Sequence, residues 1–380
     1  MRAWSLVARI LLGASLVAGC AAPPIAMNDE PRGLDTPGPQ AWAYHAYWMK
    51  DTWRAYDLRD FGRILFFDLV AGKDGRIEKR NGWPEAWSDL RTAAREARLA
   101  VDPVVSVLDN ETFVSIFASP DHRERLLEEV ARVARDSSGM HLDIEVFEPV
   151  DEAILAEFRI FLARLRARLD APPRKTLTAF VTTANLLYGQ RELALLDAVV
   201  AQGYDAHWKD APSTGPVALL EGNAAVAWKN TATALLQRGV PARRIVFSTP
   251  LYGYEWPTLS PLPGASTTGP GEIVTYARVP FLEPDIRFAA VDRAARYGLR
   301  RDAPSSAPWY AFNDGRGWRQ GWFDDEVSLA PRLDFVAGGD FLGVALWILG
   351  YDDGAMFATI RSRFRERSER AGDGSRRGGP

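Results

Sequence analysis

From Ile64 to Leu349 the chain repeats one pattern: a short apolar run rich in β-branched and aromatic residues, then an amphipathic helical stretch. The runs include Ile64-Leu65-Phe66-Phe67, Val101 to Val107, Leu177 to Thr183, Ile245 to Thr249 and Leu342 to Leu349. Between them, Ser119-Pro120 has the form of an N-cap followed by a first-turn proline, and Leu126, Leu127, Val130, Val133 and Ala134 recur at helical spacing. A further helix carries Ile154, Phe158, Phe161, Leu162, Leu165 and Leu169 on one side. Strand then helix, repeated, points to a parallel sheet, because parallel neighbours must be joined by a crossover. For 380 residues the best match is an α/β fold of the (β/α)8 TIM-barrel type with an insertion. An open doubly wound sheet is the alternative, but no Gly-rich nucleotide loop follows the first strand. From Pro257 to Trp318 the rhythm breaks into Pro-, Gly- and Thr-rich sequence with strand-like pieces such as Glu272 to Tyr276. This predicts a small α+β insertion on one barrel loop.

The two ends read differently. Arg2 and Arg9 precede a largely apolar stretch, Ile10 to Ala18, that is too short to span a bilayer as a mature helix. Leu16-Val17-Ala18-Gly19-Cys20 then places small residues before a cysteine, as in a bacterial lipobox. Residues 1–20 are read as a lipoprotein signal peptide, with Cys20 the lipidated first residue of an exported protein held to the membrane by that lipid. An ordinary signal peptide with an incidental Cys20 is the alternative. Ala21, not Asp, follows, which in a diderm host is the pattern of outer-membrane sorting. Residues 21–40, with five prolines between Pro23 and Pro39, read as a flexible linker, 41–364 as the barrel, and 365–380 as a disordered tail. Cys20 is the only cysteine, so neither a disulfide framework nor a thiolate metal site is available. A net charge of −3 carries no basic excess to neutralise a phosphate backbone, so nucleic acid is not an expected partner. Thirteen Trp, 11 Tyr and 18 Phe are a high aromatic load, and those on loops would offer platforms for sugar rings.

The chemistry concentrates in Gly139-Met140-His141-Leu142-Asp143-Ile144-Glu145-Val146. Strand side chains alternate between faces, so Met140, Leu142, Ile144 and Val146 share one face, which would pack under the helices. His141, Asp143 and Glu145 share the other, which would point into the barrel, with neighbours ~6.6 Å apart. Three ionisable groups in one interior column need partners or a function, since an unpaired buried charge costs several kcal/mol. Glu145 lies nearest the C-terminal end of the strand, where barrel active sites form. With Asp143 directly below, one of the two carboxyls is expected to hold a proton near neutral pH. A protonated Glu facing a cleft is what general-acid cleavage of a glycosidic bond requires.

Ser138-Gly139-Met140-His141-Leu142-Asp143-Ile144-Glu145 resembles the Asp-Gly-x-Asp-x-Asp-x-Glu signature of glycoside hydrolase family 18, the chitinase-like barrels. The last Asp and the Glu are kept; Ser138 and His141 stand where the family has its first two Asp. Four later segments resemble the family in the expected order. Gln202-Gly203-Tyr204-Asp205 is similar to its Met-x-Tyr-Asp on strand 6, and Pro250 to Trp256 to its strand 7 end. Asp324 to Ser328 is similar to the point where an insertion rejoins the barrel, and Gly343 to Trp347 with Gly350 to Asp353 to its strand 8 end. The resemblance spans about Ala43 to Ile360 and places the α+β insertion between strand 7 and helix 7.

The resemblance implies cleavage of β-linked N-acetylglucosamine glycans with retention, the nucleophile being the sugar's own acetamido oxygen. Chitin, peptidoglycan fragments and N-glycans are all candidate substrates. Carried over, Glu145 would be acid then base, Asp143 would orient the acetamido group and stabilise the oxazolinium, and Tyr204 would hold the acetamido carbonyl. Asp205 would contact the sugar or Glu145, and Trp347 would floor the cleft. Tyr252, Trp256, Tyr47 and Trp48 are candidates for its wall. Neither a metal nor an organic cofactor is implied. In the family the Asp at the His141 position shares the catalytic Asp's proton; a histidine there would supply charge or a hydrogen bond and change the protonation of Asp143. Ser106-Val107-Leu108-Asp109 keeps the Ser but not the glycines of the strand 3 segment Ser-x-Gly-Gly. A glycan-binding barrel without catalysis is the second reading, and a protein-binding envelope scaffold the third. His45, His122 and His207 are scattered and suggest no metal site; His207-Trp208 could line the cleft.

Overall fold

The computed structural model describes residues 33–182, 187–286 and 288–376. Cys20 and the rest of residues 1–32 lie outside them, as does Thr183. Eight parallel strands close on themselves: β1 Gln40–Ala46, β2 Arg63–Ala71, β3 Ala100–Val107, β4 Gly139–Ile144, β5 Thr176–Val181, β6 Ala198–Ala201, β7 Ile245–Pro250 and β8 Gly343–Trp347. Each pairs with the next, and β1 pairs with both β2 and β8, which leaves no free edge. Helices such as Pro120–Arg135 and Glu152–Asp170 run between strands and bury the predicted apolar stripes, Leu126, Leu127 and Val130 on the first and Phe158, Leu162 and Leu165 on the second. Ser119 caps the first of these helices by accepting from the His122 N–H, and Pro120 opens it.

Inward side chains stack in layers. At the bottom, Arg63 of β2 pairs with Asp102 of β3, donates to Thr176 Oγ1 of β5 at 3.1 Å and lies over the Trp42 ring. Tyr44, His141 and Thr178 form the middle layer; Ser106, Asp143, Phe180 and Trp347 lie above. β2 carries a bulge between Phe66 and Leu69, where it spends one more residue than β3.

After β7 comes the insertion. Its five-stranded antiparallel sheet, ordered Glu272–Thr275, Tyr252–Thr258, Trp318–Trp322, Pro308–Asn313 and Arg300–Arg301, is joined by the helix Ala290–Tyr297. The unit therefore starts before Pro257 and ends beyond Trp318. Inside it, Glu255 accepts from the Tyr310 hydroxyl and from Arg319 Nε, both at 2.8 Å. The chain rejoins the barrel at Asp324-Asp325. Asp325 caps the helix Glu326–Gly338 reciprocally with Ser328, and Asp324 is buried against Arg332.

Two expectations about the ends differ from the structure. Of the stretch 21–40 read as linker, residues 33–39 form a turn tied down by Arg243 Nη2 on Thr36 O at 3.1 Å, and Gln40 already belongs to β1. Residues 365–376, read as a disordered tail, continue the helix Ala355–Arg376. Here the tie is ionic, since Arg361 and Arg365, one turn apart, both pair with Asp60. Such a tie leaves no apolar periodicity in the sequence.

The bottom pair makes a stability prediction. Arg63→Ala leaves Asp102 buried and unpaired, so urea unfolding should show a loss of about 3–5 kcal/mol. Arg63→Met combined with Asp102→Leu should recover most of it. Equal stability of the single and double variants would show that the pair is not what closes the barrel floor.

Candidate active site

β4 folds as its alternation dictates. Met140, Leu142 and Ile144 are fully buried on its outer face, while His141 and Asp143 are buried inside the barrel. Gly139 opens the strand where a Cβ would collide with Thr176 of β5. Glu145 follows the strand's last residue, its N–H still donating to Val107 O at 2.8 Å, and emerges at the mouth. There it lines a cleft of about 470 Å³ with Phe147, Phe180, Gln202, Tyr204, Asp205, Trp208, Tyr252 and Trp347. A hollow of about 630 Å³ lies elsewhere, between Trp53 and Ala97, but its Asp57 and Asp89 are exposed and paired with Arg59 and Arg54.

Burial, with the charge of Asp205 added, pushes the Glu145 carboxyl up to about 7. Asp143 is raised well above the carboxylate range by burial first, then by Glu145 and Asp68. Its Oδ1 has no hydrogen-bond partner among the described residues. Both carboxyls are thus held toward the neutral form.

His141 supplies a hydrogen bond and not a charge. Burial, with Arg63 below it, lowers its pKa to about 3. Its Nε2 lies 3.0 Å from the Tyr44 hydroxyl and its Nδ1 2.8 Å from Thr178 Oγ1. Thr178 Oγ1 itself donates to Met140 O, which assigns the ring proton to Nδ1 and makes Nε2 the acceptor for Tyr44.

Tyr204 and Asp205 are placed by Gly203, whose backbone passes so close to Ser248 O and the Trp228 indole that a Cβ would collide with both. Gly203 N–H donates to Ser248 Oγ at 3.2 Å, and Gly203 O accepts from Trp228 Nε1 at 2.9 Å. Tyr204 is buried against Tyr252, and burial with the surrounding carboxylates keeps its hydroxyl protonated, a donor. Asp205 adopts φ +65°, and its Oδ1 accepts from the hydroxyls of Tyr252 at 2.7 Å and Tyr254 at 3.1 Å, both on the insertion. Burial raises the Asp205 carboxyl and these bonds pull it back. Trp347, at the end of β8, stands edge-on to Tyr44 and Phe67 with ring centroids 5.0 and 4.9 Å away.

The structure therefore brings Glu145, Asp143, Tyr204, Asp205, Tyr252 and Trp347 together. It does not bring in Trp256, which lies four residues past Tyr252 on the same strand, ~13 Å further out at the usual rise. Trp256 is fully buried within the insertion with its Nε1 donating to Lys209 O at 3.0 Å. Tyr47 lies outside the cleft lining, against Trp48, whose ring reaches Phe67. His207 is a structural residue, 2.9 Å from Pro216 O, while the next residue, Trp208, faces the cleft. His45 bonds Lys50 O and His122 bonds Ser115 O, far apart in the fold.

Phe147 and Asp68 are among the residues that escape sequence reasoning. Phe147 is 70% exposed at the cleft rim, beyond the end of the alternating strand. Asp68 is buried, accepting from Ser106 Oγ at 2.6 Å and from Asn81 Nδ2 at 3.1 Å. Simple alternation from Phe67 would turn it outward; the β2 bulge turns it in.

A family model described as Glycosyl hydrolases family 18 matches residues 64–352. The chain belongs to glycosyl hydrolase family 18. This is a chitinase-like family of glycosidases. Over 282 residues the chain is 27% identical to the class V chitinase of Arabidopsis thaliana, covering 68% of this chain and 70% of that one. It is 21% identical to the cortical fragment-lytic enzyme of Bacillus subtilis over 277 residues, 69% of this chain and 60% of that one, so it spans less than two thirds of that relative. The fold matches a family 18 chitinase from Cycas revoluta solved in complex with (GlcNAc)3, with TM-score 0.69 and 17% identity over 87% of this chain and 99% of that one.

Because the folded Glu145 pKa is raised, its proton contributes to stability below the unfolded value of 4.5, and this contribution is lost as pH rises through about 7. Glu145→Gln removes the titration. Thermal or urea unfolding should find the variant more stable than the wild type above pH 7, by at most about 3 kcal/mol, with the difference shrinking as pH falls toward 4.5. A difference independent of pH would mean that Glu145 is not held neutral.

Proposed function

We propose that this chain cleaves β-linked N-acetylglucosamine-containing glycans with retention, by a substrate-assisted mechanism in which Glu145 acts as acid and then as base. The observation that carries this reading is Glu145 itself, pushed up to about 7 at the floor of an aromatic cleft, next after the strand residues that bury Asp143. A carboxyl poised there is protonated in much of the population near neutral pH, as a general acid must be.

In the proposed reaction Glu145 gives its proton to the glycosidic oxygen as the bond to the leaving sugar breaks. The acetamido carbonyl oxygen of the same sugar attacks the anomeric carbon, closing a positive oxazolinium ring. Asp143, once anionic, faces that charge. Tyr204, kept as a donor, holds the carbonyl in attacking geometry, and Trp347 provides an apolar floor for the ring. Glu145, now a carboxylate, takes a proton from the water that opens the intermediate, which restores the starting state. The substrate class is supported by family membership, by the chitinase relatives and by the sugar ligand named for the Cycas revoluta structure. The cortical fragment-lytic relative keeps peptidoglycan among the substrates to test beside chitin oligomers and N-glycans.

Lipid attachment belongs to the same reading and is supported by the Leu16 to Cys20 segment. The full chain should partition with membranes and carry acyl mass on Cys20. Cys20→Ser should release it; a variant that stays membrane-bound would remove the lipid from the proposal.

The catalytic test uses purified protein lacking residues 1–32, incubated with chito-oligosaccharides, peptidoglycan and an N-glycoprotein, with products read by mass spectrometry. Glu145→Gln should lower cleavage about 10²–10⁴-fold, and Tyr204→Phe should lower kcat about 100-fold. Undiminished cleavage by Glu145→Gln would end the assignment. Binding of one glycan by both proteins, with cleavage by neither, would instead favour the non-catalytic glycan-binding barrel.

A further inference from the structure

Asp143 needs somewhere to send a proton. It must be neutral to lie buried beside Glu145, yet anionic to face a developing positive charge. His141, below it on the same strand, cannot take the proton, since its Nε2 is occupied by the Tyr44 hydroxyl and its Nδ1 by Thr178 Oγ1. The groups facing Asp143 from elsewhere are the phenols of Tyr44, Tyr188 and Tyr204, held protonated by burial, with Glu145 above and Asp68 to the side. Lys79 bears on Asp68 and Asp205 on Glu145; Arg63 is two layers down and acts on His141.

One path leads out of this cluster. In the sheet order β4, β3, β2, Ser106 is in register with Asp143, and both point inward. Neighbouring strands lie about 4.8 Å apart, so rotation of the Asp143 side chain brings its carboxyl within hydrogen-bond reach of the Ser106 hydroxyl. That hydroxyl already donates to Asp68 Oδ2 at 2.6 Å. Asp68 is only 5% exposed and is turned toward Ser106 by the bulge in β2.

We propose that Asp68 is a positioning residue that accepts the Asp143 proton through Ser106 when positive charge develops in the cleft. The Asp143 O–H proton passes to Ser106 Oγ as the Ser106 O–H proton passes to Asp68 Oδ2. Asp143 becomes anionic, Ser106 stays neutral and Asp68 becomes neutral; the reverse transfer follows water attack. The proposal rests on the substrate-assisted reading given above.

The test compares wild type, Asp68→Asn, Asp68→Glu and Ser106→Ala, each checked for an unchanged melting profile. One readout is the pH profile of kcat and KM on a chito-oligosaccharide. The other is the infrared band of the buried protonated carboxyl, titrated with pH and assigned by its loss in Asp143→Asn. Asp68→Asn should lower kcat about 100-fold with KM little changed, and should move the Asp143 titration to lower pH because one facing anion is gone. Ser106→Ala should lower kcat as well but leave most of that titration in place, and Asp68→Glu should restore part of the rate. An unmoved Asp143 band in Asp68→Asn overturns the proposal, as does a rate loss shared equally by Asp68→Asn and Asp68→Glu with an unshifted pH profile. The infrared readout needs no turnover, so a wild type that cuts nothing overturns the glycosidase reading alone.

Discussion

Placing carboxyl groups where water cannot solvate them is the constraint around which this barrel is arranged. Asp102, Asp143, Asp68 and Asp205 all lie within or at the mouth of one closed sheet, and burial is the largest influence on each. The protein meets that cost in different ways at different heights. At the bottom a cation is supplied, and the Asp102 charge is matched by Arg63. Higher up, hydrogen-bond donors take over, with Lys79 adding its charge near Asp68. Asp68 and Asp205 receive hydroxyl and amide donors, and Asp143 and Glu145 are left to hold protons. The gradient from paired charge to shared proton runs along the barrel axis toward the cleft, which is where mobile protons are useful.

The aromatic residues complete this arrangement. Tyr44, Phe67 and Trp347 meet edge-to-face in a cluster that spans β1, β2 and β8. Their packing fills the barrel on the side opposite β5. Tyr44 also donates to His141 Nε2, whose tautomer is set by Thr178, and burial keeps the ring neutral, so the histidine adds no charge to the column above it.

Much of this was legible in the sequence because it depends on periodicity. The alternation in Gly139 to Val146 places His141, Asp143 and Glu145 inside, and the helical stripes of Pro120–Arg135 and Glu152–Asp170 face the sheet. Where periodicity breaks, the reading breaks with it. Asp68 is hidden by an extra residue in β2 that inverts its direction, and Phe147 lies past the end of β4. Trp256 was misplaced because sequence adjacency to Tyr252 says nothing about the distance travelled along an extended strand. Asp205 was identifiable from its neighbours Gly203 and Tyr204, but not its two tyrosine partners, one of which lies 49 positions away.

That last contact ties two parts of the molecule together. Asp205 Oδ1 is held by two hydroxyls that the barrel does not own, while the charge of the same carboxylate bears on Glu145. The strength of the acid at the mouth is therefore adjusted by an insertion that lies outside the strand that carries it. Changes to the sheet between Tyr252 and Trp322 can retune the working pH range of the cleft without altering any residue of β4, so the insertion acts on proton affinity as well as on shape.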